Sequence, residues 1–356
     1  KHKGVWIMAY ISFQPKDYFK CSTYTGNETA RTITTGFEPT LVWTKCRNDA
    51  HHHICTDQVT GAGKRIKPNN NDAQDVSGAS VASFISTGYT LTDNSTINGN
   101  SDTNVSWAWK MNGAGSADNS GSASNVTVSA DATRGMSMVR WQGSSSAQTV
   151  PHGLGGVPDF IVMKEQTATG NWIASNKFDS WNGYLLFNLN NAFYNSGDAS
   201  SGSGRMFKAG GTEPTSTLFS TNGSAYMDST SNYNIGWFFR SVNGFSKMGK
   251  YIGNNSANGT FIYTGFKPSL FIFKRNGATN DWGIFDNRRS TFNEVDKGLK
   301  VNDNATEYTG NDCDFLANGV KMRSNGGDNN AAATYFYMAF AEEPLVASNG
   351  DPATAR

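Results

Sequence analysis

The chain has 356 residues, 17% of them charged, and a formal net charge of +1. That balance leaves no basic face broad enough to track a nucleic-acid backbone, and no run of about 18 apolar residues is present to insert in a bilayer. With 38 glycines and 12% aromatics, and with Ser, Thr and Asn turns between short apolar runs, the composition points to an all-β protein with little helix.

In chain order, Trp6-Ile-Met-Ala-Tyr10 comes first and is similar to Tyr337-Met-Ala-Phe340 near the other end. Residues 1–17 therefore read as the closing strand of a preceding copy, or as an N-terminal strand, and the native product is expected to extend before Lys1. The n-region and h-region of a signal peptide are missing. Next comes a pattern that occurs three times. Gly36, Pro39 and Lys45 recur as Gly155, Pro158 and Lys164, and as Gly265, Pro268 and Lys274. Fourteen residues past each proline stands His53, Trp172 or Trp282, and eighteen past it stands Asp57, Asn176 or Asp286. Phe84 to Gly88 is matched by Phe219 to Gly223 and by Phe315 to Gly319. A fixed internal period sets architecture before any single motif does.

The spacing predicts copies over 18–111, 132–243 and 244–346, a Gly/Ser-rich connector, flexible or extended, over 112–131, and a C-terminal tail over 347–356. Each copy has about 105 residues, enough to bury its own core. In each, Gly-x-x-Pro forms a turn in which Gly supplies the positive φ and Pro fixes its own. An apolar strand leaves the turn (Thr40–Lys45, Asp159–Lys164, Ser269–Lys274), and the last two, with few polar interior positions, read as buried on both faces or central in a sheet. The copies close on aromatic strands ending at Trp109, Phe239 and Phe340. The expected fold is three tandem β-sandwiches of jelly-roll or lectin-like type.

Candidate sites are few. Cys46, His51, His52, His53 and Cys55 are the one metal-like cluster. They lack a second ligand pair, so no metal or other cofactor is expected. The four cysteines form no paired framework. Asp57, Asn176 and Asp286 suit strand-ending Asx turns better than calcium, which needs six or more oxygens. The three lysines should bury their stems and keep their ammonium groups wet. Glu342-Glu343 reads as a surface charge pair, and His152 stands alone. No acid/base pair, nucleophile triad or phosphate loop assembles, so an enzyme is not expected. Trp172 and Trp282 sit at fixed positions and read as core. Trp181, Tyr184, Phe193 and Tyr194 lie in a segment peculiar to the second copy and are the ligand-binding candidates, since binding residues favour variable loops.

The run Tyr24-Thr-Gly…Ala30-Arg-Thr-Ile-Thr-Thr-Gly36-Phe…Pro39…Leu-Val-Trp43…Lys45 resembles a repeat domain of tailed (marine-type) bacteriophage virion proteins. Gly61-Ala-Gly-Lys64, Val105-Ser-Trp-Ala-Trp109 and Tyr337-Met-Ala-Phe-Ala-Glu-Glu-Pro344 fit the same pattern. Such proteins are described as tail fibres or uncharacterised structural proteins. The resemblance implies a virion-surface location and other virion proteins as partners. It also implies host attachment, with a host-surface polysaccharide as ligand and assembly as a homotrimer. A capsid decoration protein with no ligand site is the alternative. The chain departs from the pattern at His53 and Asp57, where an aromatic about two residues before the Asp is usual.

Overall fold

The computed structural model describes residues 12–195, 212–223 and 229–343. They are nearly all β, with 45% strand and 3% helix. The first segment contributes β1 (Phe19–Thr25), β2 (Leu41–Cys46), β3 (Ile54–Asp57) and β4 (Thr103–Trp109). The second contributes β5 (Met136–Gln142), β6 (Phe160–Glu165), β7 (Ile173–Asn176) and β8 (Tyr233–Phe239). The third contributes β9 (Ser246–Ile252), β10 (Leu270–Arg275), β11 (Gly283–Asp286) and β12 (Thr334–Phe340). One strand order is used three times: β1-β4-β2-β3, β5-β8-β6-β7 and β9-β12-β10-β11, all antiparallel.

A second set of strands lies beside each sheet. Arg31–Thr34, Gly88–Leu91 and Val81–Ile85 form a three-stranded sheet in the first segment, and Ala147–Pro151 pairs with Leu218–Asn222 in the second. In the third, Phe261–Tyr263, Gly319–Met322 and Tyr308–Leu316 continue from β11 through Val295–Lys300, giving a sheet of eight strands.

Alternation along each central strand sends successive side chains to two different cores. Val42 and Ala108 face a local cluster with Ile33, Phe37 and Tyr89. Ile161 and Met163 do the same with Trp141 and Phe219, and Phe271 and Phe273 with Phe315 and Val320. The opposite faces meet in one shared cluster, where Leu41, Trp43 and Trp109 join Phe160, Trp237 and Phe239, and Leu270, Met338 and Phe340. The rings of Trp109 and Phe239 each lie 5.7 Å from that of Phe340. A void of about 10 Å³ at this junction is lined by apolar residues, among them Trp43, Val162 and Ile272. β6 and β10 are thus buried on both faces, as their composition predicts, and so is β2. The three segments also meet in a common core, which was not legible in the sequence.

Two sequence correspondences shift, and one connector is more ordered than expected. Thr35 Oγ1 accepts from Phe37 N–H and Thr264 Oγ1 from Phe266 N–H, and the matching bond in the second segment is His152 Nδ1 accepting from Leu154 N–H. The counterpart of Gly36 is therefore Gly153, with φ +69, and the Gly155 turn adds two residues before Pro158. Phe219 stands opposite Val150 as Tyr89 stands opposite Ile33, so it matches Tyr89, not Phe84. The 112–131 stretch is in part sheet: Ser116–Ala117 pairs with Ser124–Asp131, which pairs with β5. Residues 1–11 and 347–356 lie outside the described residues.

Candidate functional site

The recurring polar positions serve the fold. The main-chain N–H of His53, Trp172 and Trp282 donates to Asn69, Asn188 and Asn302 respectively, at 3.0, 2.9 and 2.7 Å. Two residues before each Asn is a carbonyl that receives the ring N–H of the neighbouring segment. Trp172 Nε1 donates to Lys67 at 2.9 Å, Trp282 Nε1 to Leu186 at 2.9 Å, and His53 Nε2 bonds Lys300 at 3.0 Å. The second segment thus holds the first, the third holds the second, and the first holds the third. Trp43 Nε1 donates to His53 Nδ1 at 2.8 Å, which leaves the proton on Nε2. Burial holds the imidazole pKa well below 6.5.

The Asx positions end their strands. Asp57 Oδ1 accepts from Thr60 N–H, Asn176 Oδ1 from Phe178 N–H, and Asp286 Oδ1 from the N–H groups of Arg288 and Arg289. Lys45, Lys164 and Lys274 depart from expectation, because their side chains are enclosed. Each ammonium donates to the carbonyls one and four residues ahead (Cys46 and Asp49, Glu165 and Ala168, Arg275 and Ala278). Burial lowers all three pKa values to about 8. Glu342 is also buried, unlike the exposed Glu343. It binds Lys20 at 2.5 Å and the Arg288 guanidinium, joining the first and third segments.

The metal-like cluster is dispersed in function. His53 is committed as above, His52 Nδ1 bonds Asn69, and His51 faces Asp49. Among the described residues no group of three His, Cys, Asp or Glu could hold a metal ion. Of the four ligand-binding candidates, Trp181 and Tyr184 are buried in the second segment's local core. Tyr194 stacks on Tyr184 at 5.1 Å, and Phe193 packs on the shared core. Gly183–Leu186 pairs with β7 as Val295–Lys300 pairs with β11, so the strand that carries Tyr184 is shared with the third segment, and buried Trp181 and Tyr184 offer no open ring face.

Two open surfaces occupy the same place in different segments. In the third, the edge strand Phe261–Tyr263 buries Ile262 and turns Phe261 (43% exposed) and Tyr263 (64% exposed) outward. Opposite Tyr263 is Gly319, where a Cβ would come within 2.8 Å of the Phe261 ring, so the missing side chain leaves room for that ring. Ile252, at the end of β9, is 69% exposed, and Thr260 bonds its carbonyl. In the first segment, a cleft of about 410 Å³ runs between β1 and Arg31–Thr34, with Lys20, Arg31 and Arg288 as its charged lining. Neither surface was singled out in the sequence. Phe-Ile-Tyr at 261–263 alternates with period two, but alternation alone does not say that the partner of its aromatic face is solvent.

No curated protein and no solved structure matches the chain. Residues 14–344 match the family described as a domain of unknown function (DUF7483), a stretch that takes in all three segments as one unit, and the chain belongs to that family.

Proposed function

We propose that the protein is a structural component of a tailed-phage particle, built from three β-sandwiches and carried on the virion surface as a tail-fibre-like appendage that binds host-surface glycan. It acts by binding and not by catalysis. The observation that carries the binding role is the outward pair Phe261 and Tyr263. Two rigid aromatic faces, two residues apart on one strand, offer apolar area to sugar rings at little entropic cost, and exposed apolar patches on a well-packed molecule mark contact sites. Such a site is weak alone. Several copies on one particle, for instance a homotrimer, would add avidity.

The test is binding of the fluorophore-labelled chain to host cells, with and without competing virions, for the parent and for Phe261→Ala/Tyr263→Ala. Saturable, virion-competed binding that the double variant loses at unchanged Tm supports the reading. Equal binding by both proteins removes the aromatic strand from it.

Capsid decoration is the second reading. It is favoured by the closed ring of His53, Trp172 and Trp282 bonds, since a self-contained unit with its polar positions committed internally suits a clamp. Hundreds of copies per purified virion, with no cell binding, would decide for it.

A further inference from the structure

Each four-stranded sheet starts at a strand whose outer side can take a neighbour. In the second segment that side of β5 is filled. Ser124–Asp131 pairs with it antiparallel, with Thr127 opposite Arg140, Ser129 opposite Met138 and Asp131 opposite Met136. β1 holds the same place in the first segment, for Phe19 stands opposite Trp109 as Met136 stands opposite Phe239. Among the described residues no strand pairs with the outer edge of β1.

Two hydrogen bonds identify the main-chain groups on that edge. The Cys21 N–H donates to Glu342 Oε2 at 3.3 Å, and the Thr25 carbonyl accepts from the Arg31 guanidinium. In an antiparallel strand alternate residues turn their N–H and C=O to the same side, so Thr23 also faces outward. The Glu342 carboxylate sits at the position that Ser129 occupies beside β5. An acidic oxygen already takes the place of a strand carbonyl.

The cleft of about 410 Å³ follows this edge from Lys20 to Tyr24, and its other wall is Arg31–Thr34, itself the first strand of its sheet. Both walls are strand edges, which suits main-chain pairing better than it suits a rigid ring. The charged lining groups are Lys20, Arg31 and Arg288, all cationic. Glu342 offsets Lys20 and Arg288 from behind, and Glu343 touches Arg288 from outside, while Arg31 lies 5.4 Å from the Tyr24 ring. Cationic side chains on an edge repel basic strands and other copies of the same edge. A strand with acidic side chains escapes that repulsion.

We propose that β1 is a strand-addition site. An extended acidic segment of a partner protein pairs antiparallel with the open Thr23 end of β1, alongside the place at Cys21 that the Glu342 carboxylate already fills. Its main chain bonds Thr23, and its carboxylates meet Lys20 and Arg31. The affinity comes from main-chain bonds and the selectivity from charge. This site is separate from the Phe261 and Tyr263 surface and does not depend on glycan binding there.

The test uses the full chain and fluorescence anisotropy. The probe is a labelled peptide of alternating Val and Glu with the 8-residue length of Ser124–Asp131. The controls are the same peptide N-methylated at alternate residues, a Val/Lys peptide, and an oligogalacturonate. Saturable binding of the Val/Glu peptide is expected, weakened about tenfold or more by N-methylation. Thr23→Pro, which removes one outward N–H on an edge strand, should weaken it similarly. Arg31→Glu tests the charge at a half-buried position outside the hydrophobic clusters: it should lose the Val/Glu peptide and gain the Val/Lys one. Equal binding of the N-methylated peptide or of oligogalacturonate overturns the proposal in favour of a simple anion surface. Absence of Val/Glu binding at about 1 mM overturns it outright.

Discussion

His53 and Trp43 are a matched pair: the indole Nε1 of Trp43 donates to His53 Nδ1 at 2.8 Å, and His53 then bonds Lys300 across the segment boundary. In the other segments the pair is Val162 with Trp172 and Ile272 with Trp282, by the shared register of β2, β6 and β10. A large residue at the first position goes with a smaller ring at the second. The departure at His53 is therefore a volume exchange that keeps one ring N–H aimed at the neighbouring carbonyl.

His53→Trp alone should overpack the first segment and cost about 2–4 kcal/mol. Adding Trp43→Val, the pairing of the second segment, should recover most of that loss. Urea unfolding of both single variants and the double variant measures the coupling. A coupling energy under about 0.5 kcal/mol would show that the two positions are independent.

Acid should weaken the fold through its buried neutral histidines. Burial holds His53 well below 6.5 and His152 at about 4. Between about pH 6.5 and the folded values the unfolded chain binds more protons, so stability is full above that window and falls as pH drops through it. The His152 share is about 3 kcal/mol, complete by about pH 4. Unfolding curves from pH 7.5 to 4 should show the decline, and His152→Thr, the residue type at Thr35 and Thr264, should flatten it.

Asp57 works in the opposite direction. Burial raises its carboxyl pKa from 3.8 to about 6, so the folded state keeps the proton longer and stability falls as pH rises through that window. Asp57→Asn supplies the residue already used at Asn176 and keeps an acceptor for the Thr60 N–H. The variant should gain about 1–3 kcal/mol at pH 7.5 and lose that advantage near pH 4. A loss of stability at pH 7.5 would mean that the charged carboxylate is needed at Thr60.

Lys164→Met keeps the buried stem and removes the ammonium from the carbonyls of Glu165 and Ala168. Two enclosed acceptors left without a donor should cost about 2–4 kcal/mol. Parent-like Tm would mean that water reaches those carbonyls.

Glu342→Ala should cost about 1–3 kcal/mol, because Lys20, Arg288 and the Cys21 N–H lose their common partner while the two cations keep part of their hydration. Glu343→Ala, at an exposed position, should change Tm little. Thermal unfolding of the two variants separates the residues that the sequence presents as one charge pair.

What the sequence determined by itself was the all-β class, the threefold recurrence and the strands out of each Gly-x-x-Pro turn. These follow from local turn chemistry and period-two alternation, which act over a few residues. The Asx turns at Asp57, Asn176 and Asp286 were legible for the same reason. Tertiary structure alone decided that the three sheets share a core, because contacts such as Phe19 with Phe340 at 5.6 Å have no local signature. It also decided that Trp181 is buried and Tyr263 exposed. Trp181 follows the Asx turn of the second copy and Tyr263 lies on a strand that the copies share, and only the neighbouring chain determines which of them meets water. The ring of Asn69, Asn188 and Asn302 was hidden because the third lies 20 residues past its Trp282 and the first two lie 16 past His53 and Trp172. Loop length varies freely there, while the hydrogen bond across the segment boundary does not.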